Sequence, residues 1–321
     1  MINISESTPD LILKSALTLK SGNLVAFPTE TVYGLGADAT NELAVSKIYS
    51  VKGRPTNHPV IVHISSANKI LNWANKIPDY AHELVSKYWP GPMTLILPRK
   101  SIAKDFITGG QESIGLRVPN QSVALNLLSS FESVGGLGIA APSANRFGAV
   151  SPTTAVSVQD ELGKYLSELD VILDGGQCLV GIESTIIDCT SKLPSILRPG
   201  AITYEMISEI TKVNIKSSAS LSSIRTSGSY ISHYSPRAKI VLNSLPSEGQ
   251  GFIALENIPS PKGVIRLMAP KTVEQFAKDL YLAFRFGDQQ NLDTIVVLIP
   301  DGGGISEAIK DRLFKAAGLN N

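Results

Sequence analysis

The sequence predicts an α/β protein in two parts, and three observations carry the prediction. Apolar runs of strand length alternate with segments of helical periodicity from the N-terminus to about Lys212. A Ser-rich stretch poor in large apolar residues, SSASLSSIRTSGSYISHYSPRAK, then breaks the pattern and reads as a linker. Beyond it the alternation resumes in a shorter segment. With 321 residues, 43% of them hydrophobic, the chain is long enough to build two cores.

Each element follows from a local signal. Thr8 as N-cap and Pro9 in the first turn open a helix with Leu13, Ala16 and Leu17 apolar, closed near Gly22. A strand, LVAFPT, comes next. Thr40 or Asn41 caps a second helix with Ala44, Ile48 and Val51 on one face, and Gly53 ends it. Further strands are expected at VIVHI (Val60 to Ile64), MTLILP, IGLRV, LGIAA, DVILD, STIID and SILRP. After the linker, KIVL, FIAL, GVIRL and TIVVLIP read as strands, and Thr272 to Phe286 reads as a helix with Val273, Phe276, Ala277 and Leu280 aligned.

Composition excludes several classes. Lys and Arg (29) nearly balance Asp and Glu (28), so no global field draws the chain to nucleic acid or an anionic membrane. No apolar run approaches a bilayer span and MINISESTPD is unlike a signal peptide, so a soluble, cytoplasmic protein with no membrane partner is expected. Two cysteines, Cys178 and Cys189, make neither a disulfide scaffold nor a zinc site and read as small buried hydrophobes. The phosphate-loop, G-x-G-x-x-G, H-E-x-x-H and G-x-S-x-G motifs are all missing, and the glycine pairs of DGGQ and DGGG read as tight turns.

Polar residues gather instead at strand ends. FPTETVYGLGADA crowds three hydroxyls and a carboxylate between an apolar run and two glycines. VKGRP sets Lys52 in the last turn of a helix and Arg54 just past its glycine; both complement the helix dipole as readily as they meet a ligand. His63 is the lone polar residue of its strand, and by itself reads as a core residue as easily as a ligand. Arg117 in IGLRVP needs a carboxylate or phosphate partner, either an internal acid or a bound substrate. Arg198 repeats the pattern in ILRPG. The loop Ala140 to Thr153 carries Ser143, Asn145 and Ser151, and GIESTIID brings Glu183, Ser184 and Thr185 to the mouth of another strand. Open α/β sheets bind ligands at such convergences.

Taken in order, PTETVYGLG, the K-x-R-P turn, VHI, GLRVP, APSAN, the following S-P-T and ESTIID resemble the YrdC-like family of threonylcarbamoyl-AMP synthases. The resemblance is dense from Ser21 to Gly200, and HYSPRA resembles the linker of the family's two-domain members. It implies a twisted open mixed sheet with helices over 1–212, a linker over 213–237 that crosses the active site as a lid, and a small Rossmann-like α/β domain over 238–321. It also implies synthesis of threonylcarbamoyladenylate from L-threonine, bicarbonate or carbon dioxide, and ATP, with release of pyrophosphate. A downstream threonylcarbamoyl-transferase complex that modifies tRNA, and a weak tRNA contact, come with the same resemblance. So does magnesium, carried on the ATP phosphates rather than in a protein cage.

By the same mapping Thr31, His63, Arg117, Ala141 and Ser184 meet threonine, with Arg117 on its carboxylate. Lys52, Arg54, the position of His58, Ser113, Ser143, Ser151 and Arg198 meet ATP, and Tyr234 reaches back from the linker to cover it. Many members have Asn where this chain has His58. No side chain is needed as acid, base or nucleophile, because the attacking carbamate is already anionic. Positioning and charge neutralisation remain. The C-terminal segment offers no catalytic constellation and reads as a packing module. Two rival readings are a double-stranded RNA or tRNA-binding module, which the near-zero net charge disfavours, and a carbamoyl-transfer domain of hydrogenase maturation, which usually brings zinc-binding cysteine pairs.

Overall fold

The computed structural model describes residues 4–213, 215, 224–226 and 234–319. Most of the 213–237 linker, and with it the expected crossing of the site, lies outside the described residues.

Ten strands join into one mixed sheet. From one edge to the other they are Ile4–Glu6, Val171–Asp174, Val25–Phe27, Gly34–Asp38, Ile139–Ala140, Ile61–His63, Ser113–Arg117, Met93–Pro98, Thr185–Asp188 and Ser195–Arg198. Side-chain alternation gives the sheet two apolar faces. Val25 and Phe27 turn towards the helices Pro9–Lys20 and Ser122–Ser133, while Leu24, Ala26, Leu35 and Ala37 join the core on the other face with the helices Glu42–Lys52 and Asp79–Tyr88.

Helix starts follow their caps. Thr8 Oγ1 accepts from the Leu11 amide at 3.3 Å, and Asn41 Oδ1 from the Ala44 amide at 3.1 Å, each satisfying an otherwise orphaned donor. Of the two cap candidates for the second helix, Asn41 is the one used, and Gly53 ends that helix in the left-handed region at φ 60°. The first helix runs to Lys20 but turns a different face inward from the one expected. Leu13 and Leu17 are exposed, whereas Ile12, Ala16 and Leu19 are buried. A narrow stripe at i, i+4 and i+7 suffices because the helix Ser122–Ser133 covers only that side.

The strands Ile4–Glu6 and Gly34–Asp38 and the helix Ile305–Ala316 are among the elements not individually expected. Gly34–Asp38 is central, and its glycines serve close packing rather than turning. A Cβ on Gly36 would stand 2.8 Å from Ile139 Cγ2 and 2.9 Å from Phe27 Cε1.

The C-terminal sheet has four strands, all parallel, in the order Lys239–Leu242, Thr294–Val297, Gly251–Ile253, Ile265–Met268. The helices Val273–Gln289 and Ile305–Ala316 cover it, which is the α/β arrangement expected for this part. Its core is not its own alone: Val32, Val150 and Ile182 from the large sheet's loops, and Tyr234 from the linker's end, belong to the same buried cluster as Phe276, Leu280 and Leu313. Cys178 and Cys189 are free and buried, as expected of small hydrophobes. Among the described residues no helix is long and apolar enough to cross a membrane.

Candidate active site

Parallel pairing of Ile61–His63 with Ser113–Arg117 sets His63 opposite Arg117, and partners in register project from the same face of a sheet. The segment Thr29 to Tyr33 passes beside them. Arg117 Nη1 donates to Thr31 Oγ1 at 2.9 Å, and Nε donates to the Gly91 carbonyl at 3.3 Å. Thr29 spends its only hydroxyl proton on the Val32 carbonyl at 2.7 Å, so in the 2.8 Å contact between the two threonines Thr31 is the donor. Thr31 therefore presents its remaining acceptor capacity and a fixed rotamer to the pocket.

Arg117 also has an internal carboxylate. Glu30 Oε1 lies 2.7 Å from Nη2, with both side chains 5% exposed. The charges approach closely, yet among the described residues Nη2 and both Glu30 oxygens have no aligned hydrogen bond. Glu30 thus balances the charge of Arg117, while Thr31 and the Gly91 carbonyl fix the plane of its guanidinium at the pocket wall.

His63 is buried against the edge of Phe27, 5.9 Å between ring centres at 89°. Burial, and then the Arg117 charge, push its pKa down to about 3, so the ring is neutral near neutral pH. Its Nδ1 has no hydrogen-bond partner among the described residues, leaving an acceptor or donor for a small polar ligand.

On the far side Ser184 opens the strand Thr185–Asp188. Its Oγ lies 2.8 Å from Thr94 Oγ1 and accepts from Arg198 Nη2 at 3.2 Å, while Arg198 Nε donates to its carbonyl at 3.1 Å. The loop after Ile139–Ala140 closes the third side. Ala141 N donates to Ile61 O at 2.9 Å, and Ser143 bridges to Gly34.

One pocket gathers nine of the residues that sequence reasoning singled out: Thr31, His63, Arg117, Ala141 and Ser184 with Arg54, Ser143, Arg198 and Tyr234. Among the described residues three guanidiniums line it against one lining carboxylate, Glu183, which suits a polyanion. Four other expected residues do not line this pocket. Lys52 is 2% exposed and points behind it, donating to the Ser143 and Asn145 carbonyls at 2.5 Å each. Burial and then the Arg54 charge hold its amine well below the ordinary lysine range. Ser151 donates to Glu183 Oε1 at 2.6 Å. His58 packs edge-on against Phe147, and Ser113 is buried at the start of its strand.

Sequence reasoning passed over three contributors. Glu30 sits in the quoted segment, but nothing in its spacing marks it as the partner of Arg117. Tyr281 and Arg312 come from the C-terminal domain, where no constellation was expected. Tyr281 Oη donates to Glu183 Oε2 at 3.0 Å, and Arg312 Nε donates to the same oxygen at 2.9 Å. Burial alone would raise the Glu183 pKa; the Arg312 and Arg198 charges and the Ser151 hydroxyl outweigh it and hold it at about 2.

Comparison with known proteins agrees with this architecture. A family profile described as telomere recombination matches residues 17–200, and one described as the C-terminal domain of threonylcarbamoyl-AMP synthase matches residues 202–318. The threonylcarbamoyl-AMP synthase of Pyrococcus abyssi is 35% identical, with 99% of this chain and 97% of that protein covered. That of Bacillus subtilis is also 35% identical, over 98% of this chain and 95% of its own. The crystal structure of Pyrococcus abyssi Sua5 complexed with L-threonine superposes with a TM-score of 0.87 at 34% identity, covering 99% of this chain and 98% of that one. The chain belongs to the threonylcarbamoyl-AMP synthase family, in its two-domain form.

Proposed function

We propose that this protein makes L-threonylcarbamoyladenylate from L-threonine, bicarbonate or carbon dioxide, and ATP, and releases pyrophosphate. The observation that carries the reading is the meeting of Thr31, His63 and Arg117 with Arg54, Ser143 and Arg198 in one cationic pocket. The neutral threonine amine bonds to the carbon of carbon dioxide and gives up a proton, or to that of bicarbonate with loss of water, and a carbamate results. One carbamate oxygen then bonds to the α-phosphorus of ATP as the bond to the β-phosphate oxygen breaks, and pyrophosphate leaves with that electron pair. Positioning and charge neutralisation are the protein's part.

In this reading threonine is held by Thr31, His63, Arg117, Ala141 and Ser184, its carboxylate on the guanidinium of Arg117. ATP is held by Arg54, Ser143, Arg198 and Tyr234 from within the pocket. Lys52 and Ser151 serve it through the Ser143 and Asn145 carbonyls and through Glu183, and His58 and Ser113 complete the set. Magnesium neutralises phosphate charge and travels on the ATP: Glu30 is paired with Arg117, and Glu183 with Arg312, Ser151 and Tyr281, so neither carboxylate is offered to a metal. The product passes to a transferase complex acting on tRNA.

The test is pyrophosphate release from ATP with magnesium, comparing L-threonine, L-serine, L-valine and no amino acid, each with and without bicarbonate. Release needing both L-threonine and bicarbonate, and falling by about a hundredfold or more in Arg117→Ala, is expected. Release indifferent to the amino acid overturns the reading.

A further inference from the structure

Three site residues have a neighbour buried in the C-terminal core. Val32 follows Thr31, Val150 precedes Ser151 and Ile182 precedes Glu183, and all three belong to the cluster built around Phe276, Leu280 and Leu313. The loop into Glu183 is pressed hardest. Gly181 lies against the backbone of the helix Val273–Gln289, where a Cβ would stand 2.4 Å from Lys278 Cα.

At the centre of this contact is Arg312, 0% exposed. Its Nε meets Glu183 Oε2 at 2.9 Å, Nη1 meets the Pro199 carbonyl at 2.9 Å and Asp311 Oδ2 at 2.7 Å, and Nη2 meets the Glu183 carbonyl at 3.3 Å. Pro199 follows Arg198, so the fork holds backbone on both sides of the Ser184 and Arg198 contact. The guanidinium also lies 5.3 Å from the centre of the Tyr234 ring, which stacks on Tyr281 at 5.9 Å. A lysine ammonium can reach one of these partners; only a planar fork reaches them together.

We propose that Arg312 is a positioning residue for the nucleotide side of the site, fixing Glu183, the Arg198 strand end and Tyr234 from the C-terminal domain. The proposal rests on the synthase reading above. Arg312 acts through its partners: Glu183 receives the Ser151 hydroxyl, and Tyr234 forms a wall of the pocket. Of the threonine contacts, Thr31, His63, Arg117 and Ala141 do not pass through it; Ser184 alone adjoins a residue that it holds, and the Thr94 hydroxyl at 2.8 Å keeps Ser184 in place from the other side.

The experiment uses the full chain with Arg312→Met and Arg312→Lys, and Gln177→Ala as a control that removes a 3.0 Å bond to Asp279 across the same interface. KM values for ATP and L-threonine come from pyrophosphate release, and affinities for ATP and L-threonine from calorimetry. Arg312→Met is expected to weaken ATP about tenfold or more with L-threonine within about twofold, Arg312→Lys to recover part of the loss, and Gln177→Ala to change neither. Should Arg312→Met not fold, Arg312→Lys reads the same split. Equal losses for both ligands, or none, overturn the proposal. A wild-type chain that binds ATP without releasing pyrophosphate overturns the synthase reading instead, and the calorimetric split still decides Arg312. A chain that binds no ATP overturns both.

Discussion

His63 and Arg117 face each other in register, and burial first, then the Arg117 charge, keep the histidine neutral. The same logic reaches His58, held at about 4 by burial and then by Arg54. An unfolded histidine titrates near 6.5, so between that value and the folded ones the unfolded chain carries protons that the folded chain lacks. The contribution of the two histidines is therefore complete above about pH 6.5 and is lost as pH drops, by about 1.4 kcal/mol per pH unit for each such proton. Glu183, held at about 2 against 4.5, adds a loss of the same sign at lower pH. The melting temperature should fall from pH 7 to pH 5, and His63→Gln with His58→Asn should flatten that slope; an unchanged slope would refute the assignment. Arg117 and His63 were legible because polar residues in apolar strands demand a reason. Glu30 and Arg312 were not: Arg312 lies in KDRLFK, a charge-rich stretch that looks like a solvated helix face, and its partner Glu183 is 129 positions away.

Among the elements, the loop from Gly176 to Ser184 touches both domains. It donates from Val180 N to the Glu30 carbonyl at 2.8 Å on one side and abuts Lys278 on the other. Gly176 and Gly181 both have φ near 80°, but a Cβ on Gly176 meets nothing within 4 Å. Gly176→Ala should thus cost about 1 kcal/mol for the left-handed backbone alone. Gly181→Ala should cost about 1–3 kcal/mol more from overpacking, with weaker ATP binding. Equal melting temperatures for the two variants would count against a tight interface. Strands such as Met93–Pro98 and Thr294–Val297 were readable from continuous apolar runs. Gly34–Asp38 was not, because glycines that admit Ile139 and Phe27 look in sequence like glycines that turn a chain.

At the scale of the whole molecule, the two-part organisation was visible in the Ser-rich break, whereas the sharing of a core was not. Val32, Val150 and Ile182 are ordinary valines and isoleucine in loops, and only the fold shows that they are buried in the core of a domain whose first strand, Lys239–Leu242, begins 57 or more positions after them. Burying such side chains is worth about 1.5–3 kcal/mol each, in addition to the Glu183 and Arg312 pair. That sum bears on what the covalent connection does. A covalent link by itself supplies an effective concentration on the order of millimolar, a modest contribution beside a shared apolar interior. Cleavage at a protease site inserted between Ser218 and Ala219 should leave two pieces that elute together and still release pyrophosphate. Separate elution would mean that the peptide link holds the halves in place. If they stay paired, chain continuity is dispensable for assembly, and the sequence between the domains is free to be selected for something other than tethering.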